Sequence, residues 1–291
     1  MDFIRVKRLI HPVKGGSGWF GVTHNTNIYR GCNHGCIYCD SRSNCYKISN
    51  FDQIKAKENA DIMIENELKT KTKKGILGMG GMNDPYNDYE KILEYTRHAL
   101  KSIDKYGFGV VLITKNTLIT RDIDLYQRIN THSPVIINFT ITTSLDRLQS
   151  RIEQNVSSTS ERFKAIKEMS DAGLFVGITM MPILPFINDT VENITGIIEQ
   201  AREAGAKFIY PSFGVTLREN QRTHFFKKIG PALTKQYVDA FGDSYMCKSP
   251  NSDVLYKEFS ALCKKYGILH KMDDIITHAT KNVKTEQISL F

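Results

Sequence analysis

The chain has 291 residues, 41% of them hydrophobic and 24% charged, and carries a formal net charge of +8. That is the balance of a soluble globule built as one large α/β domain or two ordinary ones. Met1–Arg8 lacks the apolar core of a signal peptide, and no stretch is long enough to span a bilayer, so the expected setting is the cytoplasm, where thiols stay reduced. The positive balance favours a polyanionic partner, with basic clusters at Lys69–Lys74 and from Arg218 to Lys228; the same charge also serves as an ordinary solvated surface.

From about residue 24 to 215 short β-rich runs alternate with longer helical patterns. The predicted strands are Asn25–Arg30, Gly75–Gly80, Gly109–Thr114, Val135–Thr142, Phe175–Met181 and Lys207–Ser212. Continuous apolar runs such as Val110-Val111-Leu112-Ile113 are those of parallel strands covered on both faces. Asp84-Pro85 reads as a helix start, with Tyr89, Ile92, Leu93, Thr96 and Leu100 following at helical spacing. Ser157–Glu161 opens a second helix that ends near Gly173, and Asn188-Asp189-Thr190 a third that ends at Gly205. Six strand–helix units in series predict a parallel, right-handed array, a partial (βα)₆ barrel two units short of a closed one. Asn220–Phe241 and Asp253–Lys265 read as helices of a C-terminal extension over the open side. The expected division is an N-terminal segment 1–23, a core 24–215, a helical extension 216–279 and a polar tail 280–291.

The chemistry concentrates in Asn27-Ile28-Tyr29-Arg30-Gly31-Cys32-Asn33-His34-Gly35-Cys36-Ile37-Tyr38-Cys39-Asp40, where Cys32, Cys36 and Cys39 are spaced C-x₃-C-x₂-C. Each thiolate can ligate one iron, so three in one loop leave one iron of a four-iron cluster open to a small molecule. A structural zinc site with Cys45 or His34 as fourth ligand is the alternative; such sites pair their cysteines with a second, distant pair, whereas Cys247 and Cys263 sit singly.

This run resembles the signature of the radical S-adenosylmethionine (SAM) enzymes, and with its flanks that of the spore photoproduct lyase–like family of DNA-repair proteins. The resemblance implies a [4Fe–4S] cluster on Cys32, Cys36 and Cys39, with SAM chelating the open iron. It further implies reductive cleavage of SAM to a 5′-deoxyadenosyl radical that abstracts hydrogen from a substrate. Tyr38 matches the aromatic position whose backbone faces the adenine. Gly78-Met79-Gly80-Gly81-Met82-Asn83-Asp84-Pro85-Tyr86 corresponds to the glycine-rich loop that holds the SAM amino group, here with Asn83 where the family's T-D-P-Y has threonine; Gly80, Gly81 and Asp84 are its implied contacts. Lys115, ending the third strand in a similar T-K, would pair with the SAM carboxylate. Thr140 and Thr142 match the hydroxyls of F-S-I-x-T and share one face by alternation. Arg151-Ile152-Glu153-Gln154 resembles R-x-E-P with Gln154 in the proline position, its charges readable equally as a solvated pair, and Met180–Asp189 resembles P-x-x-P-G-x-N-D with Phe186 in the glycine position.

In spore photoproduct lyase a cysteine outside the cluster returns hydrogen to the product radical. No cysteine here matches it residue for residue; Cys45, six residues past the cluster motif, is the candidate donor. Gln287-Ile288-Ser289-Leu290-Phe291 resembles the Q-L-x-L-F peptide that docks bacterial repair proteins on the sliding clamp, or alternatively tucks Leu290-Phe291 onto its own core. The implied partners are DNA, that clamp, and a reducing donor such as flavodoxin or ferredoxin. The competing functions are a radical SAM modifier of RNA or of a peptide and a non-catalytic cluster- or zinc-binding module.

Overall fold

The computed structural model describes residues 1–13 and 18–281; the clamp-like peptide Gln287–Phe291 lies outside them. The strands in chain order are β1 (Asp2–Ile4), β2 (Ile10–Pro12), β3 (His24–Thr26), β4 (Tyr29–Arg30), β5 (Lys55–Lys57) and β6 (Ile76–Met79). They continue with β7 (Gly109–Thr114), β8 (Val135–Thr140), β9 (Val176–Met180), β10 (Ile209–Pro211), β11 (Gly214–Thr216) and β12 (Met246–Lys248). The main sheet runs β10-β9-β8-β7-β6-β3-β2, parallel from β10 to β3, with β2 antiparallel on the edge. Six parallel strands in sequential order form the expected open partial barrel.

The crossovers carry α1 (Ala60–Lys69), α2 (Glu90–Leu93), α3 (Tyr95–Lys105), α4 (Ile123–Asn130), α5 (Asp146–Ile152), α6 (Thr159–Asp171) and α7 (Val191–Glu203). Alternation along β7 sends Val110 and Leu112 outward into the large core shared with these helices, and Val111 inward. Beyond β11 follow α8 (Glu219–Ile229), α9 (Pro231–Phe241), α10 (Ser252–Tyr266) and α11 (Met272–Lys281). Ile275 and Ala279 of α11 pack with Phe20, Val22, Val111, Ile136 and Phe208 at the amino-terminal end of the barrel interior. Trp19 reaches Tyr210 edge-on at 5.4 Å, bridging from the segment before β3 to β10 at the other edge of the barrel. Among the described residues no helix is long and apolar enough to cross a membrane.

The structure corrects several sequence expectations. The first strand stops at Thr26, and Tyr29–Arg30 pair instead with Ala56 and Lys55 in a separate sheet, β1-β5-β4. Asp84 caps no helix; α2 begins at Glu90, and the helical run after it breaks at Glu94, which has φ +48°. Asn220–Phe241 is two helices, because Gly230 has φ +80° and Pro231 opens a new first turn. Outside the expected core, residues 1–23 carry β1 and β2, and β12 pairs with β11, which is not a correction of the expected division. The helical extension also carries α11 (Met272–Lys281), beyond the two helical stretches its sequence pattern marks.

Candidate functional site

The cysteine loop leaves β4 at the carboxyl end of the barrel strands, and its path is set by backbone contacts on both sides. Gly31 has φ +76°, and a Cβ there would sit 2.4 Å from the Gln53 carbonyl oxygen, so only glycine lets the loop pass. Cys32 N–H then donates to the Phe51 carbonyl at 2.8 Å. On the far side Ile37 N–H donates to the Ile152 carbonyl at 3.0 Å, and Asn155 N–H to the His34 carbonyl at 3.0 Å. The result brings Cys32, Cys36 and Cys39 to one pocket with His34, Gly80, Gly81, Asp84, Lys115 and Thr140.

The second wall is built around Asp84. Its Oδ1 accepts from Thr114 Oγ1 at 2.7 Å and from Tyr86 N–H at 2.9 Å, while Oδ2 accepts from Lys115 N–H at 2.8 Å. The carboxylate therefore locks the β6 exit loop to the end of β7. Asn83, the departure from the family pattern, donates through Nδ2 to the Tyr29 carbonyl. His34 Nδ1 lies 3.7 Å from Asp84 Oδ2, and burial holds this imidazole below its ordinary range, hence neutral.

Burial pushes the Cys32 thiol up to about 12 and raises Cys36 and Cys39 as well. Three thiolates cannot persist in such a place without a compensating cation. Lys115 is one such charge: burial opposes its ionisation, but Cys36 and Glu153 outweigh that and raise it above the usual ammonium range. Its Nζ lies 5.8 Å from the centre of the Tyr38 ring.

Tyr38 is buried, its hydroxyl donates to Glu153 Oε1, and its carbonyl accepts from Gln221 Nε2 at 3.2 Å. Glu153 is wholly buried and pairs with Arg162, whose Nη2 lies 2.7 Å from Oε2, while Arg151 is exposed. Those two acidic and basic residues of the R-x-E motif are thus not a solvated pair. Arg162 also donates to the Thr140 carbonyl at 2.7 Å and to the Ser157 carbonyl at 2.8 Å. It is the residue that sequence reasoning missed. The available signal was its place with Ala165, Ile166 and Met169 on the buried stripe of α6, where a lone arginine must meet a buried acceptor.

Two predicted residues stand apart. Thr142 does not line the pocket; its Oγ1 lies 3.4 Å from Glu153 Oε1. Cys45 is exposed on a 3₁₀ turn, where its N–H donates to Glu219 Oε2 at 3.0 Å, and it too lies outside the pocket lining. A cavity of about 250 Å³ inside the barrel adjoins the site through Gly81, Met82 and Ile113 and is lined by Trp19, Asn25, Asn27 and Val111.

Among the described residues no three His, Cys, Asp or Glu side chains converge as a single metal ion needs. A multi-iron cluster has a different requirement, since each cysteine reaches a different iron. Three thiols around one pocket, two of them buried and Cys39 half-buried, a half-buried lysine beside them and an adjoining glycine-walled space fit a [4Fe–4S] cluster with SAM.

The Radical SAM superfamily model matches residues 26–201. An uncharacterised protein of Mycobacterium tuberculosis (strain H37Rv) is 24% identical over 255 residues, covering 84% of this chain and 75% of its own. An uncharacterised protein of Acidianus two-tailed virus is 24% identical over 261 residues, covering 84% and 80%. Among solved structures, spore photoproduct lyase complexed with dinucleoside spore photoproduct superposes with a TM-score of 0.64 at 14% identity, covering 92% of this chain and 81% of that one. A mutant of the same lyase with bound SAM gives a TM-score of 0.64 at 14% identity, covering 92% and 80%. The fold of this chain is therefore that of spore photoproduct lyase, and the chain belongs to the radical SAM superfamily, whose members use a [4Fe–4S] cluster and SAM.

Proposed function

We propose that this chain is a DNA-directed radical SAM enzyme of the spore photoproduct lyase type, acting in the cytoplasm. The observation that carries the proposal is the single pocket that gathers three cysteines of one loop with Gly80, Gly81, Lys115 and Thr140. A reduced cluster held there would supply one electron to the sulfonium of SAM, so that a carbon–sulfur bond would break to give methionine and a 5′-deoxyadenosyl radical able to take hydrogen from the substrate.

The chain's own residues bind and orient. Cys32, Cys36 and Cys39 hold three irons. Lys115 offers its ammonium to the SAM carboxylate, and the carbonyls of the Gly80-Gly81 turn accept from its amino group. The Tyr38 backbone and Thr140 flank the nucleoside, while Asp84 and the Glu153–Arg162 pair position these groups without touching ligand; Thr142 acts through Glu153. The apolar walls of the barrel cavity keep water from the reacting carbon. A DNA substrate is supported by the net charge of +8 and by the likeness in fold to a lyase solved with a dinucleoside lesion. The clamp-like peptide Gln287–Phe291 points to the same substrate, and a flavodoxin or ferredoxin is the proposed electron source. The base would have to leave its stack to enter the barrel. Cys45, the only exposed cysteine of the six, remains the proposed hydrogen donor.

The test uses anaerobically reconstituted protein with SAM, dithionite and DNA containing the spore photoproduct. Wild type should form 5′-deoxyadenosine and restore thymine, and Cys36→Ala should form neither. Cys45→Ala should cleave SAM yet fail to complete repair. A protein that holds zinc, or a cluster that never cleaves SAM, overturns the enzyme reading; SAM cleavage indifferent to DNA overturns the substrate.

A further inference from the structure

The small sheet β1-β5-β4 supports the cysteine loop from behind, and its outer face carries a cluster of cations without direct ion pairs. Arg30 stands directly opposite Lys55 in the antiparallel ladder, and Lys57 lies two residues along on the same face. The intervening Tyr29 and Ala56 point the other way and are buried. Like charges set opposite each other in a ladder destabilise it. Burial first, and then the Arg30 charge, push the Lys57 ammonium down to about 8, while Glu67 acts the other way.

The nearby acids offset this positive charge only in part, Glu67 acting on Lys57 from a distance without a direct ion pair. Glu58 is taken by Arg5 at 2.9 Å, and Asp2, across from Lys55, accepts from Gln53. Among the described residues Arg30, Lys47, Lys55 and Lys57 form no ion pair. Arg30 is held in place by donating from Nη2 to the Lys47 carbonyl at 2.5 Å. Arg30 and Lys55, together with Arg5 and Ile48, border a groove of about 260 Å³, with Lys47 beside Arg30 and Lys57 two residues along β5 from Lys55.

The groove is joined to the cysteine loop. Gln53 lines it, and the Gln53 carbonyl is the atom against which Gly31 packs. Arg30 itself is two residues from Cys32. An anion seated here would therefore lie just outside the wall that anchors the first cysteine.

We propose that this face binds the phosphodiester backbone of a single-stranded DNA segment and leads it to the barrel mouth. Phosphates supply the anions that the Arg30–Lys55 juxtaposition lacks, and a strand rather than a duplex suits both the narrow groove and a barrel cavity that admits only an unstacked base. The inference rests on the DNA reading above.

The test is fluorescence anisotropy of a labelled oligothymidylate across a salt series. It compares the wild-type protein, the variant Lys47→Glu/Lys55→Glu/Lys57→Glu, and a control with the same charge change elsewhere, Lys164→Glu/Lys257→Glu/Lys264→Glu. The groove variant should bind at least tenfold more weakly, with a log–log salt slope shallower by about 2 for three lost phosphate contacts, while cluster absorbance and DNA-independent SAM cleavage stay at the wild-type level. If the reversal disturbs the sheet, Lys55→Gln/Lys57→Gln removes charge without adding carboxylates and should weaken binding in the same direction. A groove variant that binds like the control overturns the groove and leaves the DNA reading standing. Wild-type protein that binds no oligonucleotide overturns both.

Discussion

A single methyl group separates the two glycines that follow β6. Gly80 has φ +99°, and a Cβ there would sit 2.0 Å from the Ile113 carbonyl oxygen in β7, whereas nothing lies within 4 Å of a Cβ at Gly81. Gly80→Ala should therefore force the loop off β7, costing about 1–2 kcal/mol for the left-handed backbone before the clash is counted. The expected result is a lower melting temperature and loss of SAM binding by equilibrium dialysis, with Gly81→Ala unfolding like wild type. Residue identity and backbone conformation come apart at Phe186, which stands where the family pattern has glycine but keeps φ +63°. Its ring rests against Tyr237 at 5.6 Å and Phe241 at 5.9 Å of α9, contacts that offset the strain and that no local pattern could reveal.

Between elements, the most consequential contact is the ion pair that ties α6 to the segment after α5. Glu153 and Arg162 are both wholly buried, so removing either partner leaves a charge with no water to solvate it. Arg162→Met or Glu153→Gln should each lower the unfolding free energy by about 3–5 kcal/mol in urea titrations. The pH dependence has a definite sign. Burial raises the Glu153 carboxyl, but Arg162 and Lys115 outweigh it and hold the folded value below the usual glutamate range. A depressed folded value stabilises the protein above the unfolded value of about 4.3, and that stability is lost as pH falls toward the folded value. The acid limb of the stability curve should be less steep in Glu153→Gln than in wild type. Elements were largely readable where their signals are local. The capping box of Ser158 and Glu161 marks the start of α6, and Thr190 caps α7. Asp84 misled because a carboxylate before proline looks alike whether it caps a helix or, as here, binds Thr114 and Lys115 across a sheet.

For the whole molecule, the open barrel raises the question of what seals its amino-terminal end. Phe208, fully buried, meets Phe175 at 5.0 Å and Phe20 at 5.8 Å, and α11 covers this cluster with Ile275 and Ala279. Phe208→Ala should cost about 3–5 kcal/mol, read from the denaturation midpoint, since the aromatic lining on either side cannot collapse into the space. The cysteine pocket sits at the opposite end of the strands, so the surviving folded fraction should still assemble the cluster. Loss of the cluster at native-like secondary structure would contradict this division between a stabilising end and a chemical end.

The sequence by itself determined the repeat of six strands and their crossover helices, because parallel strands need continuous apolar runs and helices announce their caps within a few residues. It also determined the three-cysteine loop, since metal ligation is written in residue type and spacing. Tertiary structure decided what depends on partners distant along the chain. It split the first strand to give Arg30 and Lys55 a sheet of their own, buried Glu153 against Arg162 and left Arg151 in solvent. It kept Thr142 and Cys45 out of the pocket and folded α11 back beneath the barrel. Burial and pairing are properties of the packed chain, and no local pattern carries them.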